Sequence, residues 1–128
     1  MEPIFESKYH LLEKNHWWFV SRRDIIFTLL EQLKVGKEKK ILDIGCSGGI
    51  LIESLRDQGY INIHGIDISE KAIDVCKTRG INTVLVSPGE ATNFSDNEFD
   101  VIIASDILEH IEDDNKALNE WYRILKPG

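Results

Sequence analysis

The sequence predicts an α/β protein whose doubly wound parallel sheet is preceded by amino-terminal helices. Two observations predict this. From residue 41 onward, short apolar runs alternate with segments of 3.6-residue periodicity. In addition, the run Phe99-Asp100-Val101-Ile102-Ile103-Ala104-Ser105 is apolar on both faces, as strands in the middle of a parallel sheet are. Such alternation implies right-handed crossovers and a ligand crevice at the carboxyl ends of the strands.

Residues 4–19 are rich in aromatic side chains: Phe5, Tyr9, Trp17, Trp18 and Phe19. A helix is expected from about Ser21, with Ile25, Ile26, Leu29, Leu30 and Leu33 on one face, Ser21 as its cap and Gly36 as its end. Ile41-Leu42-Asp43-Ile44 then reads as a buried strand entering a glycine loop at Gly45, followed by a helix over Ile50 to Gln58 that stops at Gly59. The unit repeats in kind. Ile63 to Ile68 forms a strand, Ser69 caps a helix over Glu70 to Arg79, and Gly80 ends it. Thr83 to Val86 makes a third strand, and the run from Phe99 makes a fourth after a polar loop. From about Asp113 a last helix carries Leu118, Trp121, Tyr122 and Leu125 at i, i+3, i+4 and i+7, and Lys126-Pro127-Gly128 closes it.

Charge and composition exclude several classes. The 128 residues fit one globular core, with 42% apolar and 9% aromatic content. Fifteen Lys and Arg against 22 Asp and Glu give a net charge of −7, which repels phosphate backbones, so nucleic acid is not expected as a partner. The longest apolar runs fall far short of the roughly 20 residues that span a bilayer, so no membrane association is expected. The segment Met1-Glu2-Pro3-Ile4-Phe5-Glu6 has no basic region followed by an apolar stretch, which leaves the cytoplasm as the expected location. Cys46 and Cys76 have no His neighbours at ligand spacing, so neither a disulfide framework nor a metal site is expected from them.

Chemistry is expected first at Asp43-Ile44-Gly45-Cys46-Ser47-Gly48-Gly49, where glycines let the backbone turn tightly and approach a ligand that a β-carbon would push away. The dinucleotide fingerprint counted from Gly45 would need glycine at Ser47 and Ile50, and neither is glycine. A tight turn with no ligand is the plain alternative. Asp67 ends the second strand, 22 positions after Gly45, where a carboxylate can accept from both hydroxyls of a ribose. Taken alone, Asp67 reads first as a helix-start carboxylate favoured by the amino-terminal dipole. Loop and carboxylate at one crevice point together to a nucleoside ligand.

These residues resemble the class I S-adenosylmethionine-dependent methyltransferases of the small-molecule type. Ile41-Leu42-Asp43-Ile44-Gly45-Cys46-Ser47-Gly48-Gly49 is similar to that family's first motif, and Gly65-Ile66-Asp67-Ile68-Ser69 to its second. Gly89-Glu90-Ala91 resembles the stretch that recognises adenine. Phe99-Asp100-Val101-Ile102, Leu108-Glu109-His110 and Arg123-Ile124-Leu125-Lys126-Pro127-Gly128 resemble the fourth strand and the helix after it. The resemblance implies a Rossmann-like domain over 39–128 with strands in the order 3-2-1-4 and its carboxyl-terminal part missing, under an amino-terminal helical cover over 1–38.

It also implies roles. Gly45, Cys46 and Ser47, with Gly49, would line the methionine end of S-adenosylmethionine, Asp67 would hold its ribose, and Ile68 would pack on the adenine face. Glu90 would accept from the adenine amino group, although the family more often has Asp there, while the Ala91 backbone reads the ring edge. Ser105 would offer backbone groups to the cofactor's amino group. Asp43 would order the glycine loop or the ammonium end and would not act as a base. No catalytic residue is assigned. Asp106, Glu109 and His110 would share a helical face, either as bases or metal ligands or as a solvated helix start, and no metal is assigned to them. Trp17, Trp18, Tyr9 and Phe19 would form a lid with Arg22 or Arg23 pairing the cofactor's carboxylate, or would pack a helix on the sheet. Cys46 reads as a small spacer with no cation to activate it.

Methyl transfer to a small-molecule acceptor is the expected function. A non-catalytic cofactor-binding module and a nicotinamide-dependent oxidoreductase are the alternatives, the latter disfavoured by Ser47 and Ile50. A fourth strand left at an edge beside Val101, Ile102 and Ile103 would template self-association.

Overall fold

A computed structural model of the chain describes residues 17–105 and 113–127, with side chains from residue 20 onward. The chain divides into two compact units, Met1–Gly36 and Lys37–Gly128. In the first, helix α1 spans Trp17–Gln32. Ser21 lies inside the helix and does not cap it, because the turn begins four residues earlier. Gly36 does not end it either. Lys34 takes the left-handed conformation (φ 56°), its N–H donates to Glu31 O at 3.0 Å, and Val35 N–H donates to Leu30 O at 3.0 Å. That paired closure needs its left-handed residue immediately after Leu33, two positions before the glycine. The expected apolar face also splits: Ile25, Leu29 and Leu33 are exposed while Leu30 is buried. These residues form two neighbouring i, i+4 rows, and only the row of Ile26 and Leu30 turns away from solvent.

The second unit carries β1 (Ile41–Ile44), α2 (Ile50–Asp57), β2 (Ile63–Asp67), α3 (Glu70–Thr78), β3 (Val84–Val86), β4 (Val101–Ile103) and α4 (Asp114–Ile124). The strands pair in parallel in the order β3-β2-β1-β4. The order read from the sequence resemblance is the order observed. After β1 the chain winds to one side for β2 and β3, then returns to lay β4 on the other, so the reversal of winding falls between β1 and β4. Register places Asp43 opposite both Gly65 and Ile103.

Local chemistry explains the element ends. Ser69 caps α3 by accepting from Ala72 N–H at 3.1 Å, and Asp113 caps α4 by accepting from Lys116 N–H at 3.0 Å. The strands are shorter than the apolar runs suggested. Ile68 leaves β2 because the Asp67 carboxylate draws the Ser69 N–H back on itself at 2.9 Å, and Phe99 joins only a single bridge, to Leu125.

Period-two alternation gives the sheet two covered faces. On one face Leu42, Ile44 and Ile66 pack with Phe99 and with Ile124 of α4, and Phe94, Ile102, Ala104 and Trp121 close over them. Burying each large side chain of this kind contributes about 1.5–3 kcal/mol. On the other face Gly65 gives α2 room: a β-carbon there would stand 2.7 Å from Ile52 Cδ1 and 2.9 Å from Cys46 Sγ. The inward row of α4 is Ala117, Trp121 and Ile124, not the expected set. Leu118 and Tyr122 are exposed and Leu125 has already left the helix, since the inward stripe lies one residue earlier than the apolar spacing indicated. Among the described residues β4 lies at one edge of the sheet and β3 at the other.

Candidate functional site

All four parallel strands point their carboxyl ends the same way, so the segments after them meet at one end of the sheet. Asp43 is the third residue of β1 and is buried. Gly45, Cys46, Ser47 and Gly49 follow β1, Asp67 and Ile68 end β2, Glu90 and Ala91 form the turn after β3, and Ser105 follows β4. The topology therefore places every expected cofactor residue at that one end, beside the reversal of winding where ligands of such sheets bind.

The glycine loop is built by backbone bonds to the neighbouring strand. Gly45 N–H and Cys46 N–H both donate to Ile66 O, at 2.8 and 2.9 Å, which requires the left-handed turn at Gly45 (φ 75°). Ser47 is left-handed too, at φ 51°, an uncommon conformation for a residue with a β-carbon. Its N–H donates to Asp67 Oδ2 at 2.9 Å, while Asp67 Oδ1 accepts from Ser69 N–H at 2.9 Å. One carboxylate thus ties the glycine loop to the start of α3. The two expectations for Asp67 are not exclusive. Each of its oxygens has about two acceptor sites and spends one on a backbone N–H, which leaves one per oxygen for a diol. Ile68, 74% exposed beside it, offers an apolar surface to a flat ring.

Gly49 and Cys46 face the protein. A β-carbon at Gly49, at φ 83°, would lie 2.7 Å from Ile81 Cδ1 and 2.9 Å from Cys76 Sγ, so glycine here lets the loop seat on α3 and the segment after it. Both thiols approach the Ser47 carbonyl, Cys76 Sγ at 3.2 Å and Cys46 Sγ at 3.8 Å. The Cys46 thiol is pushed far above its ordinary range by its hydrogen bond with Cys76, by burial and by the neighbouring Asp43 carboxylate. Both cysteines are free and buried.

Several site-forming residues carried no signal in the sequence. Arg79, at the end of α3, donates from Nη1 to the Gly48 carbonyl of the glycine loop. Trp121 Nε1 donates to Gly89 O at 2.8 Å, and Glu120 Oε2 accepts from Thr92 N–H at 2.7 Å and from Thr92 Oγ1 at 2.6 Å. Arg123 donates to Glu120 from Nε at 2.8 Å and to Asp96 from Nη1 at 2.7 Å. Its guanidinium, with the Thr92 donors, holds the Glu120 carboxyl down at about 2 despite partial burial.

At the opposite end of the sheet an ion-paired belt joins β1 to β4. Lys40 Nζ pairs with Glu98 Oε2 at 2.9 Å, and Lys40 N–H donates to Asp100 Oδ2 at 2.9 Å. Burial lowers the basicity of His64 there, with help from Lys40.

Asp106, Glu109 and His110 lie outside the described residues, as do Tyr9 and the side chains of Trp17, Trp18 and Phe19; Arg22 and Arg23 are on α1 of the first unit. Among the described residues there is no group of three or more His, Cys, Asp or Glu that could hold a metal ion. No helix among them is long and apolar enough to cross a membrane.

The fold is a doubly wound parallel sheet with its candidate crevice at the carboxyl ends of the strands. Residues 42–128 match the family described as Methyltransferase domain, and the chain belongs to that family. Membership sets aside the nicotinamide-dependent alternative and makes S-adenosylmethionine the methyl donor of its class. Curated relatives that carry the name ubiquinone biosynthesis O-methyltransferase include the following two. The protein from Thiobacillus denitrificans is 36% identical over 96 residues, 70% of this chain and 41% of that one. The protein from Coxiella burnetii is 34% identical over 104 residues, 77% of this chain and 44% of that one. A solved putative S-adenosyl-L-methionine-dependent methyltransferase from Methanococcus maripaludis superposes with a TM-score of 0.86 at 21% identity, over 96% of this chain and 58% of that one. The chain spans about half the length of the curated relatives it matches.

Proposed function

We propose that this chain supplies the S-adenosylmethionine-binding part of an enzyme that methylates an oxygen of a small molecule. The observation that carries this reading is the Asp67 carboxylate, bonded to Ser47 N–H at 2.9 Å and still holding one acceptor site on each oxygen. The donor set suits the cofactor, which has no phosphates: a short loop with close backbone approach suffices, and a full pyrophosphate cradle is not needed. Gly45 and Ser47, with the backbone of Cys46 between them, would face its methionine part, Asp67 its ribose, Ile68 and Ala91 its base, Glu90 the base's amino group, and Ser105 its ammonium. Gly49 seats the loop on Cys76 and Ile81, and Asp43 would order the loop or the ammonium end. When bound, the cofactor supplies an electrophilic methyl group on a sulfonium.

The residues of this chain bind and orient. For such a transfer, alignment of donor and acceptor is worth roughly 7–11 kcal/mol, so a general base is dispensable. The oxygen acceptor is supported by the names of the relatives from Thiobacillus denitrificans and Coxiella burnetii. The reading also includes residues 1–38 as a helical cover, a cytoplasmic location, which suits two free cysteines, and self-association through the β4 edge. Calorimetric titration with S-adenosylhomocysteine tests the reading. Saturable heat from the wild-type chain, lost in Asp67→Ala, is the expected result. Heat with a nicotinamide cofactor and none with S-adenosylhomocysteine would overturn it. Binding without methyl transfer to a panel of phenols and catechols would favour a non-catalytic cofactor module instead.

A further inference from the structure

The turn Glu90-Ala91 is held at both ends by one helix. On its amino-terminal side the Gly89 carbonyl accepts from Trp121 Nε1 at 2.8 Å. On its carboxyl-terminal side the Thr92 N–H and hydroxyl both donate to Glu120 Oε2, at 2.7 and 2.6 Å. Trp121 and Glu120 are neighbours near the end of α4, and α4 is anchored in the core through Ile124 beside Phe99. Arg123 completes the frame. It fixes the Glu120 carboxylate with Nε at 2.8 Å and Nη2 at 2.9 Å, and reaches Asp96 further along the same segment at 2.7 Å. Between the clamps Ala91 is exposed and Glu90 half-buried, so the polar groups of the turn stay accessible while its ends are fixed.

We infer that Trp121 and Glu120 are positioning residues that set how the Glu90-Ala91 turn reads the base of the nucleoside. The inference rests on the proposed function. Packing alone does not account for the pattern. A partly buried tryptophan N–H takes a partner wherever the ring packs, but here that partner is the carbonyl at one end of the turn, and at the other end a carboxylate that takes an amide and a hydroxyl from the same residue fixes that residue's backbone as well as its side chain. Holding a recognition turn in its bound conformation improves affinity by lowering the ordering cost of binding. The benefit is confined to contacts the turn itself makes, here those to the base.

That confinement gives the test. The full chain is titrated with S-adenosylhomocysteine and with S-inosylhomocysteine, which differs only in carrying hypoxanthine in place of adenine. Wild type is expected to prefer the adenine compound. Trp121→Phe keeps the ring and deletes the donor, and Thr92→Val keeps the shape and deletes the hydroxyl while leaving the Glu120–Arg123 pair intact. Each variant is expected to lower the adenine preference about three- to ten-fold, the scale of one hydrogen bond, with Kd for the inosyl compound nearly unchanged. Equal weakening toward both ligands, or an unchanged preference with only a lower Tm, would overturn the inference, because the clamps would then be merely structural. If wild type binds neither compound, the proposed function fails and the inference falls with it. An intact wild-type preference that both variants retain sinks the inference alone.

Discussion

Removing the Asp67 carboxylate separates the two jobs it is placed to do. In Asp67→Ala the Ser47 N–H and the Ser69 N–H, each 2.9 Å from a carboxylate oxygen, both lose their acceptor. Hydrogen bonds to a charged group contribute about 1.5–3 kcal/mol each, and this half-exposed site falls at the low end because water replaces part of the loss. The expected destabilisation is therefore about 2–4 kcal/mol, which for a domain of this size lowers Tm by roughly 8–20 °C. Asp67→Asn keeps one acceptor and turns an amide N–H toward the other backbone donor, so about half that loss is expected. Ligand affinity responds differently. Loss of both diol contacts in the alanine variant is expected to raise Kd for S-adenosylhomocysteine by about 100-fold, near 2.8 kcal/mol. The assays are thermal unfolding by circular dichroism without ligand and calorimetry below the variant's Tm. An alanine variant that melts within 3 °C of wild type would refute the loop tether. One that melts low but binds as tightly as wild type would refute the ribose contact and leave Asp67 a structural helix-start carboxylate.

Gly49→Ala forces a β-carbon into left-handed backbone at φ 83°, with Ile81 Cδ1 at 2.7 Å and Cys76 Sγ at 2.9 Å, so a loss of about 2–5 kcal/mol is expected in urea unfolding. Glu120 is held at about 2, below its ordinary value, so its ion pair stabilises the fold above about pH 4.5, and that contribution is lost as pH falls toward 2. Glu120→Gln is therefore expected to be less stable than wild type at pH 6, with the gap closing by pH 2 to 2.5 in urea midpoints taken across that range; a gap independent of pH would contradict the pairing. Both thiols are buried and Cys46 is raised well above its ordinary range, so a disulfide reagent at pH 8 should label neither in the folded chain and both in urea. Self-association through the β4 edge predicts a mass by light scattering that rises with concentration; a concentration-independent monomer mass would count against it.

The sequence revealed those features whose cause is local. The left-handed turn at Gly45, the Ser69 cap on Ala72 N–H and the stops at Gly59 and Gly80 each follow from what one residue permits its own backbone, and each is present. The strand order came from the resemblance carried by the motifs around Asp43 and Asp67, and the registered pairs of β1 with β2 and β4 agree with it. Helix faces were less legible. On α4 the spacing of Leu118, Trp121, Tyr122 and Leu125 fits the helical period, yet the buried stripe runs through Ala117, Trp121 and Ile124. Periodicity identifies a helix from its apolar positions but does not say which of two adjacent apolar rows the core will accept. That choice depends on Phe94 and Phe99, which sit in T-shaped contact with centroids 4.8 Å apart and fill the space before α4 arrives.

The tertiary ties of the site were invisible for a different reason. Arg79 to Gly48, Trp121 to Gly89 and Glu120 to Thr92 all run from a side chain to a loop about 30 residues away, and most end on backbone atoms. A backbone carbonyl is present at every position, so its partner leaves no mark on the residue that accepts. The loops proposed to face the ligand thus show glycines and carboxylates that a motif can capture, while the groups that hold those loops still are spread over α3 and α4. Specificity at this site is consequently exposed to substitutions well outside the motifs. Variants at the partly buried Arg79, Glu120 and Trp121 should perturb nucleoside binding more than variants at the fully buried Ala117, whose side chain only fills the core.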